Sequence, residues 1–455
     1  MAPRTKLTIL GGGESGAGAA LLAQSKGFDV FLSDKSPLKE KYRNLLASNQ
    51  IPFEEETHSV EQILESDLVI KSPGIPDETE LIQKLLQKGV PVISEIEFAS
   101  RYTQAKLLAI TGSNGKTTTT LLTYHLLKSA GLSVGLAGNI GESFARQVQE
   151  KDFDYYVLEL SSFQLDNMYK FKADVAVLLN ITPDHLDRYA YDFTKYAKSK
   201  WRITQNQTAA DTFIFNKDDL SITGLLDANP NEARCLPVSL KTELDQGAYQ
   251  ANDSLVFRPL QGIPFEIPLS EVPLNGPHNY LNVMCAVQAA LQVGIAPEVI
   301  KKGLLTFKNA PHRLEKIATV GGVDFINDSK ATNVDSVFYA LQSFDRPIIL
   351  ILGGVDKGND YDAIRSLVDS RVKGIIAMGK DNKKLETYFS ETVPLFFSTD
   401  TLDQAIDKAF EWAVEKDVVL LSPACASFDL FKNYEDRGDR FKEAVLKRIG
   451  STPPL

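Results

Sequence analysis

Along most of the chain a short apolar run ends in glycine or small polar residues, and a longer segment follows in which apolar positions recur every three or four residues. That alternation predicts strand–turn–helix units, hence α/β domains with mostly parallel sheets. LTIL (7–10) leads into GGGESGAG and a helix reaching about Lys26. DVFLSD (29–34) and DLVIKSPG (67–74) repeat the theme. A second series opens at Lys106, where LLAITGSNGKTTTT reads as strand, loop and helix; DYYVLEL (154–160) and ADVAVLLN (173–180) are its next strands. From about Thr208 to Pro273 turn residues separate short alternating runs, which predicts an added β-rich portion. A third series begins near Pro311, with strands VDFIND (323–328), PIILILGG (347–354), VKGIIAMG (372–379) and DVVLLSPA (417–424). The expected organisation is three consecutive α/β domains, 1–104, 105–310 and 311–455, with no fixed-period repeat and no low-complexity tract.

Composition narrows the function classes. With 455 residues, 43% hydrophobic and 24% charged, the chain has the balance of a globular protein with several cores. A formal net charge of -10 argues against nucleic-acid binding, which needs clustered Lys and Arg. Cys235, Cys285 and Cys425 lie far apart without C-x-x-C spacing, so neither a disulfide framework nor a zinc site is expected. The N-terminal apolar run is too short for a signal peptide, and no stretch approaches the ~20 apolar residues of a membrane span. A cytoplasmic setting without a membrane partner is expected.

Two loops carry the clearest chemistry. Gly11-Gly12-Gly13-Glu14-Ser15-Gly16 matches G-x-G-x-x-G after a strand, and Asp34 ends the next strand, about 20 residues further on. Such a turn lets helix N–H groups meet a diphosphate, as in NAD or a nucleotide-sugar; alone it is also compatible with simple helix-on-strand packing. Thr111-Gly112-Ser113-Asn114-Gly115-Lys116-Thr117 follows a strand and opens a helix. Successive amides there form an anion nest, Lys116 would reach the β- and γ-phosphates, and Thr117 would offer its hydroxyl to Mg²⁺. The eight-residue phosphate-loop pattern has glycine where Ile110 stands, so this is a shorter G-x-x-G-K-T variant. Glu159, at the end of an apolar strand, is placed to bind Mg²⁺, and His185 falls in the polar loop Asn180–Arg188. Further polar clusters follow other apolar runs: His278-Asn279-x-x-Asn282, His312-Arg313, Asp328-Ser329-Lys330-Ala331-Thr332-Asn333, Gly353-Gly354-Val355-Asp356-Lys357 and Ser422–Ser427. In parallel sheets ligands bind beyond the carboxyl ends of strands, so the last domain should carry a binding face.

TGSNGKTTTT, LELSSFQL, NITPDHLDRY, HNYLN, and HR followed by NDSKATN run in an order that resembles the Mur ligases of peptidoglycan synthesis, relatives of folylpolyglutamate synthetase. The resemblance spans about residues 5 to 445. The C-terminal LLSPACASFDLFKNYEDRGDRF is similar to the branch that adds D-glutamate to UDP-N-acetylmuramoyl-L-alanine, and the D-N-P-R motif of the diaminopimelate- or lysine-adding branches is absent. The resemblance implies a Rossmann-like N-terminal domain for the UDP part of the substrate, a central P-loop ATPase-type domain with a mixed or parallel sheet, and a Rossmann-like C-terminal domain for D-glutamate. By that likeness Glu14, Ser15, Asp34, Lys35, Ser36 and Ser72 would meet the uridine diphosphate, and Asn139, Ser161, Gln164 and His185 the muramoyl part. Gly112, Ser113, Asn114, Gly115, Lys116, Thr117 and Thr118 would hold the ATP phosphates. Asn279, Asn282, His312, Arg313 and Asp328 would surround the rest of the nucleotide. Thr117, Glu159 and His185 would serve magnesium at two sites. Lys200 would do so as a carbamate formed from CO₂; Tyr196 and Arg202 fix that register against nearby Lys198. Lys330 would sit near the reacting phosphate. Thr332, Lys357, Ser427, Phe428 and Tyr434 would receive D-glutamate, the last being commonly Phe in the family. Family precedent also implies a monomer.

The implied reaction activates the L-alanyl carboxylate as an acyl phosphate, with Lys116, Lys330 and Mg²⁺ neutralising charge. D-glutamate then attacks through a tetrahedral intermediate, with water excluded. Two other classes compete: an NAD-dependent oxidoreductase, which leaves TGSNGKTT unexplained, and a P-loop switch, which leaves the third domain's polar face unexplained. Folylpolyglutamate synthetase gives the N-terminal nucleotide-binding domain no role.

Overall fold

A computed structural model of the chain describes residues 4–260, 262–356 and 358–451. They form two compact units, Met1–Pro273 with Leu281–Phe307, and Leu274–Tyr280 with Lys308–Leu455. Three sheets organise them.

The first unit holds two sheets. The N-terminal one comprises β1 (Lys6–Leu10), β2 (Asp29–Ser33), β3 (Phe53–Glu54), β4 (Leu68–Lys71) and β5 (Val92–Ile93), all parallel, in the order β3-β2-β1-β4-β5. The order reverses at β1, which opens a crevice beyond the carboxyl ends of β1, β2 and β4. The alanine-rich helix Glu14–Ser25 packs closely because its buried positions are small, Ala17, Gly18, Ala19, Ala20 and Ala23 among them. At Gly16 a Cβ would stand 1.9 Å from the Gly11 carbonyl oxygen, so only glycine allows this turn.

The second sheet follows through the helix Glu95–Ser100. Its strands are β6 (Lys106–Thr111), β7 (Val134–Gly138), β8 (Tyr155–Glu159), β9 (Val175–Leu178), β10 (Thr212–Asn216), β11 (Arg234–Ser239), β12 (Gly247–Ala251), β13 (Ser254–Arg258) and β14 (Phe265–Pro268). The order is β14-β13-β12-β11-β10-β9-β6-β8-β7, parallel from β7 to β12 and antiparallel beyond. The expected β-rich portion is therefore an extension of the central sheet. Strands β6, β8 and β9 are buried almost throughout, as near-continuous apolar runs must be when both faces are covered.

The second unit carries β15 (Glu315–Val320), β16 (Val323–Asn327), β17 (Ile348–Leu352), β18 (Val372–Met378), β19 (Leu395–Thr399) and β20 (Val418–Leu421). The order is β15-β16-β20-β17-β18-β19, with only β15 antiparallel. Because β20 lies between β16 and β17, the loops after these three strands emerge side by side. Among the described residues no helix is long and apolar enough to cross a membrane.

Candidate active site

The phosphate-loop segment lies between β6 and the helix Lys116–Ser129. Gly115, at φ 83°, caps that helix in the left-handed region, and a Cβ there would come 2.4 Å from Asn282 Oδ1. The turn thus exposes helix-start amides, with Asn282 against it. The loop after β9 holds it in shape. The Ser113 and Asn114 amides donate to the Asn180 carbonyl and Oδ1 (3.0 and 2.8 Å). The Ser113 hydroxyl donates to Thr182 O (2.8 Å), accepts from the Thr182 amide (2.9 Å) and meets Tyr196 Oη (2.9 Å). Lys116 curls over the loop, its Nζ donating to the Gly112 and Ser113 carbonyls at 2.8 Å each. Thr117 is half-buried beside it and Thr118 is buried.

Glu159 ends β8, the neighbour of β6. It is buried; its Oε1 accepts from Asn139 Nδ2 at 2.8 Å, whereas Oε2 has no hydrogen-bond partner. A carboxyl oxygen buried without a donor is costly, and a cation relieves that cost. Among the described residues no three His, Cys, Asp or Glu side chains gather into a metal cage. Magnesium is commonly held by one or two carboxylates plus phosphate oxygens and water, so this donor set fits an ion shared with a nucleotide.

Lys200, in the last turn of the helix Phe193–Trp201, is 2% exposed, while Lys198 faces solvent. Its Nζ donates to Gly112 O at 2.9 Å, the same carbonyl that Lys116 uses, and lies 4.7 Å from the Tyr196 ring centre. Burial, then the charge of Lys116, push the Lys200 amine well below its ordinary pKa; Asp184, Asp166 and Glu159 pull the other way without prevailing. His185, at φ 50°, starts a short 3₁₀ turn, half exposed, 3.7 Å from Asp184 and edge-on to Phe163. Ser161 and Gln164 form a capping box on the helix Ser162–Asp166, so their side chains are engaged with each other.

Beyond the carboxyl ends of the first sheet lies a cleft of about 720 Å³ lined by Asp34, Lys35, Ser36 and Ser72, with Thr57 and His58 on one flank. Asp34 shapes it by accepting from the Gly12 amide (2.6 Å) and the Ser36 amide (2.8 Å). Glu14 and Ser15, in the first turn of the following helix, do not line it. The Glu14 carboxylate accepts from Tyr42 Oη (3.1 Å) and faces Lys41 and Arg146 (3.6 and 3.9 Å).

In the second unit, the loops after β16 and β20 converge. Asp328 is buried, accepting from the Leu314 amide (3.2 Å) and the Ser422 hydroxyl (2.8 Å). Burial pushes its carboxyl up to about 7 despite those bonds. His312, at φ 63°, is held by Asn327 Nδ2 on its Nδ1 (2.9 Å), with Arg313 half-buried next to it. Lys330 donates its amide to His312 O (3.1 Å), and its ammonium lies 3.6 Å from the centre of the Tyr434 ring. Ser427 is buried, Thr332 half-buried and Phe428 exposed. Asn279 is buried, its Nδ2 on Asn275 O (2.8 Å). Lys357 lies outside the described residues.

Sequence reasoning missed Arg437, which is 1% exposed. Its guanidinium donates to Ser329 Oγ (2.9 Å), Ser329 O (2.8 Å) and Cys425 O (3.1 Å), tying together the loops that carry Lys330 and Ser427. In NYEDRGDR it reads as one of several solvated charges at a helix start. The adjacent Gly438 is the available signal, since a Cβ there would stand 2.2 Å from His312 Nδ1.

Known proteins resemble this chain over nearly its whole length. The profile described as MurD N-terminal domain matches residues 6–81, Mur ligase middle domain 110–290, and Mur ligase, glutamate ligase domain 312–425. A UDP-N-acetylmuramoylalanine–D-glutamate ligase of Bacteroides fragilis is 52% identical over 441 residues, covering 97% of this chain and 99% of that protein. One from Cytophaga hutchinsonii is 52% identical over 447 residues, covering 98% and 99%. Among solved structures, the UDP-N-acetylmuramate–alanine ligase of Thermotoga maritima shares the fold at TM-score 0.60 and 18% identity, covering 98% of this chain and 100% of that one. A pseudomurein peptide ligase from Methanothermus fervidus does so at TM-score 0.61 and 20% identity, with the same coverage.

Proposed function

The chain belongs to the Mur ligase family, among the UDP-N-acetylmuramoylalanine–D-glutamate ligases, and from that membership we propose how its residues divide the work. It adds D-glutamate to UDP-N-acetylmuramoyl-L-alanine in peptidoglycan precursor synthesis, using ATP, and Mur ligases use Mg²⁺ with it. In the proposed division residues 1–104 hold the UDP end, 105–310 the ATP and the acyl group, and 311–455 the amino acid. Asp34, Lys35, Ser36 and Ser72 line the uridine diphosphate site. Gly115, Lys116 and Thr117 take the ATP phosphates, with Asn282 beside them. Thr332, Ser427 and Tyr434 receive D-glutamate. The proposed setting is cytoplasmic and the proposed working form a monomer.

In the chemical step the L-alanyl carboxylate attacks the γ-phosphorus; an O–P bond forms as the bond to ADP breaks. Lys116 and Lys330 offset the charge as two anions approach. The D-glutamate amine then attacks the acyl carbon, the amine loses a proton, and inorganic phosphate leaves as the amide forms. Bound Mg²⁺ would supply positive charge at the phosphates, with Glu159 and Thr117 as its protein donors and the Lys200 carbamate serving a second ion. Lys200 is suited to that modification because its amine is held towards the neutral, nucleophilic form: the N–C bond to CO₂ forms and one proton is released. The observation that carries this reading is the unpartnered Oε2 of buried Glu159 on the strand next to the phosphate loop.

The test is phosphate release from ATP with UDP-N-acetylmuramoyl-L-alanine and Mg²⁺, comparing D-glutamate, L-glutamate, lysine and no amino acid, with product mass measured. Release only with D-glutamate, and a mass gain of one glutamyl residue, is expected. Release with another amino acid overturns the acceptor assignment, and equal release with none overturns the ligase chemistry.

A further inference from the structure

The flank of the N-terminal cleft contains a hydrogen-bond relay that the reading above leaves unused. Ser33, the last residue of β2, is fully buried, and its Oγ lies 2.7 Å from Glu54 Oε1 and 2.6 Å from His58 Nδ1. Glu54 also accepts from the Ser59 amide (2.7 Å) and the Ser59 hydroxyl (2.6 Å). Burial works to raise the Glu54 carboxyl, but the bonds from Ser59 and Ser33 outweigh it and hold the group below its usual range. Glu54 is therefore a carboxylate, which only accepts. The single Ser33 proton goes to Glu54 at 2.7 Å in preference to the Thr57 carbonyl at 3.4 Å, so the Ser33 oxygen accepts from His58 Nδ1–H. Burial, with help from Lys35, keeps the imidazole below its ordinary pKa against the pull of Glu54 and Asp34, hence neutral near pH 7. A neutral ring protonated on Nδ1 has a bare lone pair on Nε2. Among the described residues no protein hydrogen bond engages Nε2, and His58 lines the cleft together with Asp34 and Lys35.

We infer that His58 reads the nucleoside of the UDP-linked substrate, its Nε2 accepting a hydrogen bond from a donor there, either the uracil imide N–H or a ribose hydroxyl. The sheet order supports the nucleoside end. In a doubly wound sheet the diphosphate lies at the turn after β1 and the ribose at the end of β2, and His58 follows β3 on the far side of β2. Glu54 and Ser33 are positioning residues that fix the tautomer. An imidazole locked as acceptor favours a base edge that donates over one that only accepts.

The inference rests on the assignment of this cleft to uridine diphosphate, and the test separates the two. UDP binding is measured by calorimetry on the full chain for wild type, H58F and D34A, with thermal unfolding as the folding control. H58F should weaken UDP roughly tenfold, the worth of one hydrogen bond to a neutral acceptor, and leave the KM for ATP and D-glutamate unchanged. Wild type should lose a similar factor with N3-methyl-UDP or with 2′,3′-dideoxy-UDP, whichever lacks the donor, and H58F should lose nothing further with that same analogue. If D34A weakens UDP and H58F does not, or if H58F loses equally for all three ligands, the inference on His58 falls while the cleft stands. If neither variant affects UDP, both fall. Should H58F not fold, the wild-type analogue series decides alone: equal affinity for UDP and both analogues overturns the inference.

Discussion

At the scale of single residues the site is defined by what burial does to charge. Lys200 and Lys116 share one carbonyl acceptor, Gly112 O, and one amine yields its charge more cheaply than two stay charged. The buried one is Lys200, whose amine is pushed towards the neutral form that the proposed carbamate requires. Lys200→Ala should lower kcat roughly 10²–10³-fold, on the scale of removing one preorganised charge partner. A short carboxylate such as acetate should restore part of that, because it supplies the two oxygens that the carbamate would. Lys200→Arg should be as inactive and not rescuable, since a guanidinium stays charged. Steady-state rates with and without acetate decide it; wild-type rates in Lys200→Ala would end the carbamate role. Glu159→Gln keeps the shape, including the acceptor that Asn139 Nδ2 uses, and removes the charge. It should raise the Mg²⁺ concentration for half-maximal activity about 10–100-fold, and a magnesium titration unchanged from wild type would remove Glu159 from the metal site.

At the scale of elements, function depends on loops that strands and helix ends hold in place. Arg437 is the clearest case: one side chain on the helix Tyr434–Ser451 satisfies two carbonyls and a hydroxyl in two loops. Arg437→Met leaves those acceptors buried and unpaired, and should destabilise the second unit by roughly 2–4 kcal/mol in urea unfolding. It should also raise the KM for D-glutamate more than that for ATP, since both tied loops carry residues of the proposed amino-acid site; equal effects on both would reduce Arg437 to packing alone. This element scale is also where sequence reading reached its limit. Strands such as LTIL, DYYVLEL and PIILILGG were legible because long apolar runs must be buried on both faces. The strand VGLAG was not, its glycines and alanine carrying little β signal, and neither was the two-residue β3. The phosphate loop was legible because Gly, Lys and Thr stand at a spacing that phosphate imposes. Arg437, Ser33, Glu54 and Glu97 were not, because their partners are far away in sequence. Glu97, for instance, accepts from the three successive amides of Tyr169, Lys170 and Phe171, which nothing in EIEFAS foretells.

At the scale of the whole molecule, each compact unit buries a carboxyl whose ionisation opposes folding. Glu95 in the first unit accepts from the Ser143 hydroxyl and the Ala145 amide (2.7 Å each), yet burial, the largest influence, raises it to about 7. Asp328 in the second unit is likewise raised to about 7 by burial. A carboxyl raised in the folded state contributes stability that is fully present below its unfolded pKa, 4.5 for Glu95 and 3.8 for Asp328, and is lost as pH rises to about 7. Asp324 is the opposite case: burial raises it, but the hydrogen bonds from Lys316, Thr319 and Arg346 prevail and lower it to about 2. Its contribution is present above pH 3.8 and is lost only as pH falls towards 2, outside the window of the other two. The Glu95 and Asp328 windows overlap between about pH 4.5 and 7, so the share of Glu95 is isolated by comparing a variant at that position with wild type, in which Asp328 is unchanged. Glu95→Gln can still accept both hydrogen bonds through its amide oxygen but cannot ionise. Relative to wild type it should gain stability steadily from about pH 4.5 to 7, by at most roughly 3 kcal/mol, and hold that difference above pH 7. Chemical unfolding of both proteins across pH 4.5 to 8 measures this. A difference that stays constant over the range would mean that Glu95 ionises as freely in the folded chain as in the unfolded one, and that its buried position carries no electrostatic cost.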